Sequence, residues 1–209
     1  MARYGTAGYS IGPGPLSQAI KTLIGINVGA FVLSLIVPAL TVRLGLMPAM
    51  VLREYALWQP LTYMFLHGGI GHLLFNMLAL YMFGPECERL LGSRRFLSYY
   101  VVCVVGAALA QTFVTAVIYP SPYPTVGASG GIFGLLLLFG MAYPRRQLML
   151  LFPPIPMPAW LFVTLYGLLE LYMGVFGSDQ GVAHFAHLGG MAAGYLLVRY
   201  WRARAQRFR

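Results

Sequence analysis

Long apolar runs, separated by shorter polar stretches, extend along almost the whole chain. Six apolar segments can be drawn, and helices are the natural form for such segments in a bilayer because a helix satisfies its own backbone. The segments are residues 23–40, 70–82, 96–118, 129–143, 159–176 and 182–200. The pattern predicts an all-α, polytopic membrane protein in which six transmembrane helices form one bundle.

The stretches between and around these segments predict a simple organisation. We expect residues 1–19 to be a flexible cytoplasmic N-terminus, residues 20–200 the six-helix domain, and residues 201–209 a basic cytoplasmic tail. The connection at 41–69 is too polar to span a membrane, yet it holds many apolar residues. That mixture favours a partly helical segment that lies in the membrane interface.

Composition excludes a soluble protein. The chain has 209 residues, of which 59% are hydrophobic and 9% charged, and its mean hydropathy is +0.72. Soluble domains carry about 25% charged residues. The lipid bilayer is therefore an expected partner, and a soluble hydrolase is excluded.

The net charge of +9 does not indicate nucleic-acid binding, because the basic residues cluster at the ends of the apolar segments. Of the 14 lysine and arginine residues, only Arg43 and Arg53 fall on the outer side of a six-span arrangement. Under the positive-inside rule, both termini are then cytoplasmic. We expect the plasma (inner) membrane of a prokaryote.

The two cysteines do not suggest a disulfide or a metal centre. Cys87 should lie near one membrane face and Cys103 within a span. Neither belongs to a metal-ligand spacing, so both are interpreted as small hydrophobic residues. We expect no metal and no cofactor.

The fourth apolar segment is short, and its length places a serine below the membrane surface. Residues 129–143 would form a helix of about 22 Å, against a hydrocarbon core of about 30 Å. Arg145 and Arg146 fix the cytoplasmic end. Ser129, at the other end, should therefore lie at the floor of a water-filled pocket that opens outward.

His72 and Asn76 are polar residues on one face of the second segment, since they are four positions apart. They could donate hydrogen bonds to a developing oxyanion. They could equally form the interhelical hydrogen bonds that membrane helices commonly use. The residues alone leave both interpretations open.

A pair of glycine faces predicts that His187 lies beside Ser129. Gly190 and Gly194 follow His187 at helical spacing, and Gly130 and Gly134 follow Ser129 in the same way. Small residues at this spacing let membrane helices approach closely. His187 could instead bond a neighbouring carbonyl, but the glycine face favours the functional interpretation.

Two further polar residues receive no catalytic role from the sequence. His184 is interpreted as a loop or interface histidine. Glu170 lies in the fifth segment without an obvious cationic partner. The sequence places no carboxylate where it could orient His187.

Four motifs together resemble those of the rhomboid intramembrane serine proteases. They are Gly127-Ala128-Ser129-Gly130, His72-Leu73-Leu74-Phe75-Asn76, Ala186-His187-Leu188-Gly189-Gly190, and the Gly-x-x-x-Glu-x-x-x-Gly element of residues 84–92. The resemblance covers roughly residues 20–200 and implies the six-helix rhomboid bundle with a short central fourth helix. Transmembrane proteins are its implied substrates.

The resemblance also implies roles for individual residues. Ser129 would be the nucleophile and His187 the general base, without an acidic third member. His72, Asn76 and the Ser129 N–H would form the oxyanion hole. Phe133 would stack on His187.

The resemblance to the family also bears on two structural features. Glu88 would brace the cytoplasmic end of the second helix. Trp58-Gln59 stands where the family often has Trp-Arg, in the first long connection.

Two other functions remain as alternatives. A catalytically inactive rhomboid-like protein that binds membrane clients is the first, although such relatives usually lack the serine or the histidine, and both are present. A transporter is the second, but it predicts internal repeats or several interrupted helices, and no repeat is seen in the sequence.

Overall fold

The computed structural model describes residues 15–118, 121–150, 154–177 and 183–207. Within these ranges the chain is mostly helical. The helices are α1 Gln18–Ile36, α2 Ala39–Leu44, α3 Pro48–Arg53, α4 Gln59–Thr62, α5 Ile70–Leu91, α6 Ser93–Val117, α7 Ser129–Ala142, α8 Ala159–Phe176 and α9 His184–Arg207. A short 3-10 turn, Tyr63–Phe65, follows α4.

Three of the described helices are long and apolar enough to cross a membrane, namely α1, α6 and α8. A fourth crossing results if Gln59–Phe65 and α5, which meet at 96°, are taken as one broken span. The apolar helix α7 has 14 residues. The six-span count remains a prediction.

The helix ends differ from the predicted segments mainly where polar residues continue a helix. α5 runs on through Pro85 to Leu91, and α9 continues to Arg207. Both continuations carry charged residues, and segments drawn from apolar residues alone do not include them. The predicted connection at 41–69 does contain short helices, as expected. The expectations for residues 1–14, Pro120 and the loop at 178–181 lie outside the described residues.

The stretch after α7 contains a structure that the all-α prediction did not include. Strands β1 Gln147–Met149 and β2 Pro156–Pro158 pair antiparallel, with Leu148 opposite Met157. The hairpin leads directly into α8, and the N–H of Ala159 donates to the Arg146 carbonyl at 2.9 Å. Alternation over three residues is too short to distinguish a strand from a loop in the sequence.

Helices α6, α7 and α9 pack together through small residues at the centre of the molecule. A Cβ atom on Gly190 would overlap the carbonyl of Gly130, and one on Gly189 would overlap Ala110 of α6. The Tyr99 hydroxyl of α6 donates to the Gly134 carbonyl at 2.8 Å. These contacts fix the start of α9 against the start of α7.

Gly194 does not belong to the contact between α7 and α9, contrary to the predicted pairing of glycine faces. A Cβ atom on Gly194 would meet the Tyr99 hydroxyl and the Cys103 sulfur, both on α6. Cys103 also packs against Gly134. The α6 side chains thus fill the space between Gly134 and Gly194, and α7 and α9 approach most closely at Gly130 and Gly190.

The cysteines are both free and buried. The Cys87 thiol donates to the Leu135 carbonyl at 3.4 Å. Cys103 packs between glycines of α7 and α9. Their environment agrees with the interpretation of both as small hydrophobic residues.

The first connection is anchored by Gln59, the residue that departs from the family's Trp-Arg pair. Its side chain is fully buried. Gln59 Oε1 accepts from the Met47 N–H at 2.9 Å, while Nε2 donates to the carbonyls of Val42 and Arg43 at 3.4 and 3.3 Å. The neighbouring Trp58 indole also donates to the Arg43 carbonyl, at 2.9 Å.

Glu88 joins three helices at the end of α5 that lies away from Ser129. Its carboxylate accepts hydrogen bonds from the hydroxyls of Ser17, which caps α1, and of Ser93, the first residue of α6, the latter at 2.6 Å. Glu88 is buried. Its position is therefore that of a structural link between α1, α5 and α6.

Candidate active site

The serine stands at the first position of a helix that follows a turn built on a glycine. Gly127 has φ +124°, a conformation that favours glycine. Its N–H donates to the Tyr63 carbonyl at 3.0 Å, which ties this turn to the first connection. α7 begins two residues later at Ser129. The first N–H groups of α7 have no partner inside the helix, so they are suited to an anionic oxygen.

His187 approaches the serine from the first turn of α9. Its Nε2 lies 2.8 Å from the Ser129 Oγ, although the residues are 58 positions apart. His187 is 8% exposed. Gly130, next to Ser129 in α7, meets Gly190, one turn after His187 in α9, so no side chain holds the two helices apart at this point.

Phe133 fixes the plane of the imidazole. Its ring lies one turn after Ser129 and stacks on His187, with ring centroids 4.2 Å apart and planes at 4°. A stacked ring restricts rotation of the imidazole without occupying either nitrogen. The stacking predicted from the resemblance is therefore present in the structure.

His72 points a hydrogen-bond donor toward the serine. Its Nδ1 accepts from the Gly68 N–H at 3.3 Å, which leaves the ring proton on Nε2. A Cβ atom on Gly127 would lie 2.7 Å from this Nε2 and 3.7 Å from the Ser129 Oγ. The donor and the hydroxyl thus border the same small space.

Asn76 lies next to this space but directs its amide along its own helix. Nδ2 donates to the His72 carbonyl at 2.8 Å. The side chain is buried, and its Oδ1 has no partner among the described residues. One N–H of the amide remains available, because a primary amide has two.

A carboxylate does lie against His187, and the expectation that none would is wrong. Glu170 Oε2 of α8 is 2.8 Å from His187 Nδ1 and 2.7 Å from His184 Nδ1. The contact with His184 is an aligned hydrogen bond. The contact with His187 is close but lies off the line of the ring N–H, so Nδ1 has no aligned partner. His184 is likewise part of the site and not a loop histidine.

The sequence does contain a signal for this group. Glu170 is an ionisable residue within an apolar segment, a situation that usually marks function. Glu170 lies in the later half of α8, and His184 and His187 lie in the first turn of α9. The end of α8 and the start of α9 therefore carry the three residues of the group. The ligand atoms of the three residues lie within 4.8 Å of one another, which is also close enough for a shared metal ion.

The fold and the site together define a class of protein. It is an integral membrane protein of packed apolar helices in which a serine hydroxyl and an imidazole meet at the start of a short helix. The Rhomboid domain family matches residues 54–204. The chain belongs to the rhomboid family.

Known relatives agree with this assignment. Rhomboid protease GluP of Bacillus subtilis is 34% identical over 139 residues, which is 66% of this chain and 25% of that protein. RHOMBOID-like protein 4 of Arabidopsis thaliana is 36% identical over 141 residues, 67% of this chain and 33% of that protein. Rhomboid protein 1, mitochondrial, of Saccharomyces cerevisiae is 30% identical over 149 residues, 65% of this chain and 39% of that protein. The chain thus spans about a quarter to two fifths of the length of these relatives.

Proposed function

We propose that this protein is an intramembrane serine endopeptidase that hydrolyses peptide bonds in or near the transmembrane segments of other membrane proteins. The observation that carries the proposal is the 2.8 Å contact between Ser129 Oγ and His187 Nε2. In this proposal six spans cross the membrane, both termini are cytoplasmic, and the site opens to the outer side.

Attack begins at the serine. A bond forms between Ser129 Oγ and the substrate carbonyl carbon as the hydroxyl proton moves to His187 Nε2. The electron pair of the carbonyl moves onto its oxygen. The Nε2–H of His72, the free amide N–H of Asn76 and the Ser129 N–H supply hydrogen bonds to that oxygen.

The intermediate then collapses and water completes the cycle. The carbon–nitrogen bond breaks, and His187 gives its proton to the leaving amine. Water next attacks the acyl group while His187 Nε2 takes a proton from the water molecule. The ester bond to Ser129 breaks, the serine recovers a proton from His187, and the new carboxyl product leaves.

The substrate must expose a carbonyl before this reaction can start. A transmembrane helix uses its carbonyls in its own hydrogen bonds, so cleavage requires local unwinding. Small or helix-breaking residues near the cleaved bond should therefore be preferred. Substrate should enter beside α8, because only 11% of the apolar part of this helix is buried against the rest of the protein.

A cleavage assay with purified protein in detergent and a model transmembrane substrate tests the proposal. Ser129→Ala and His187→Ala should each abolish cutting, and a fluorophosphonate should label Ser129 only when His187 is present. Ser98→Ala is the matched control, because its exposed hydroxyl donates only to the Arg94 carbonyl of its own helix. A folded wild-type protein that neither cuts nor becomes labelled would favour the inactive, client-binding alternative.

A further inference from the structure

A single carboxylate oxygen is shared by two imidazoles behind the serine. Glu170 Oε2 contacts the Nδ1 atoms of His184 and His187, and all three side chains are 10 to 12% exposed. An ionised carboxylate in such surroundings is costly unless donors surround it. The two imidazole N–H groups are the donors that this position offers.

The packing of α8 on α9 holds the carboxylate in place. Gly174, one turn after Glu170, has no side chain, and this lets Phe185 and the Cβ of His184 on α9 pack closely against α8. His184 then orients the carboxylate through the aligned 2.7 Å hydrogen bond. The remaining contact of the same oxygen is with His187.

The position of Glu170 selects the useful tautomer of His187. A carboxylate 2.8 Å from Nδ1 favours the proton on that nitrogen. Nε2 is then free to accept the Ser129 proton, and it lies 2.8 Å from Oγ. The unaligned Nδ1–H needs only a small ring movement to point at Oε2, and catalytic hydrogen bonds often tighten in this way when substrate binds.

We infer that Glu170 is a positioning residue for the proposed protease reaction, holding His187 in its Nδ1–H tautomer and stabilising the imidazolium, while His184 holds Glu170. This inference rests on the proposed function. The carboxylate keeps its charge throughout, and the proton taken from Ser129 stays on His187 until the leaving amine receives it. The site is therefore a serine–histidine–glutamate arrangement, and not a serine–histidine pair alone.

Steady-state kinetics in detergent provide the first test. Glu170→Gln removes the charge with almost no change of shape and should lower kcat by about 10- to 100-fold, the range expected for loss of a charged hydrogen bond. KM should stay within about twofold, because Glu170 does not touch substrate. Glu170→Asp should restore part of the rate. The control on the same helix is Thr164→Val, whose exposed hydroxyl donates only to the Trp160 carbonyl.

A double-mutant cycle tests the part assigned to His184. His184→Ala should lower kcat in the wild-type background and have no further effect in the Glu170→Gln background, because it acts through the carboxylate. Additive losses would overturn that part. Full activity in EDTA is expected, and loss of activity on chelation would overturn the proposal by assigning the cluster to a metal.

A spectroscopic measurement separates this inference from the proposed activity. The chain has four histidines, so ¹⁵N-histidine spectra can be assigned with single variants. His187 should show the Nδ1–H tautomer in the wild type and gain the Nε2–H tautomer in Glu170→Gln. An unchanged tautomer together with unchanged kcat would overturn the inference while leaving the protease intact. A wild type that does not cut substrate would overturn the proposed function, and with it this role.

Discussion

Gly190 of α9 lies against the carbonyl oxygen of Gly130 in α7, with no side chain between the two backbones. Gly130 directly follows Ser129, and Gly190 is one turn after His187. The distance between the hydroxyl and the imidazole therefore depends on how closely two helices approach, as well as on the two residues themselves.

Gly190→Ala should separate α7 from α9 at this point. The added methyl group would overlap the Gly130 carbonyl, and backbone cannot move aside as a flexible side chain can. We expect a loss of stability of about 1–3 kcal/mol and a fall in kcat of about 100-fold, since small misplacements of catalytic groups have effects of that size. Thermal unfolding and the cleavage assay measure the two effects.

Gly29→Ala is the matched control for that substitution. Gly29 lies within α1, and a Cβ atom there would meet nothing within 4 Å. Its stability and activity should equal or slightly exceed those of the wild type, because alanine favours a helix more than glycine does. Equal behaviour of the two alanine variants would contradict the close-contact argument.

Phe133→Leu should lower kcat by about two- to tenfold, the effect expected from losing an aromatic stacking contribution. Leucine keeps an apolar side chain but cannot match the flat face that lies 4.2 Å from the His187 ring. Phe133→Tyr should retain most of the activity. The control is Phe113→Leu, at a position 62% exposed on α6; a similar loss there would show that the effect is not specific to the stacked ring.

His72→Ala should lower kcat by about 100- to 1,000-fold, as removal of an oxyanion donor commonly does. The reason is that Nε2–H borders the space next to Ser129 Oγ, while Nδ1 is already bonded to Gly68. Substrate affinity, measured in the Ser129→Ala background, should not change. A large loss of affinity with little change in kcat would assign His72 to substrate binding instead.

Gln59→Leu should destabilise the first connection. The substitution leaves the Met47 N–H and the Val42 carbonyl without the partner that the buried amide provides, whereas the Arg43 carbonyl keeps its hydrogen bond from the Trp58 indole. A buried polar group without a partner costs about 1–3 kcal/mol. Unfolding measurements on Gln59→Leu and on Gln18→Leu, an exposed glutamine in α1, should differ by that amount, and equal stabilities would contradict the anchoring role.

The sequence predicted some parts of this site better than others for physical reasons. The approach of Ser129 to His187 was predictable because glycines at helical spacing permit backbone contact only on one face of each helix. The contact of Glu170 with His187 was not predictable, because α8 is apolar on all sides and its composition does not indicate which side faces α9. Gly194 was misplaced for a related reason, since spacing along a helix does not reveal that a third helix, α6, supplies Tyr99 and Cys103 to that position.

The stability of the protein should fall with acidification because of His67, which lies in the connection before α5, outside the spans. Burial, and to a lesser extent the neighbouring His72, lowers the pKa of His67 from 6.5 to about 4. The unfolded chain therefore binds a proton at His67 below pH 6.5 that the folded chain does not bind until about pH 4. The stabilising contribution is complete above pH 6.5 and is lost as the pH falls from 6.5 toward 4. Unfolding measured between pH 8 and pH 4 should show a weaker pH dependence in His67→Phe, which keeps a buried ring without a titrating group, and identical pH dependence in the two proteins would contradict this assignment.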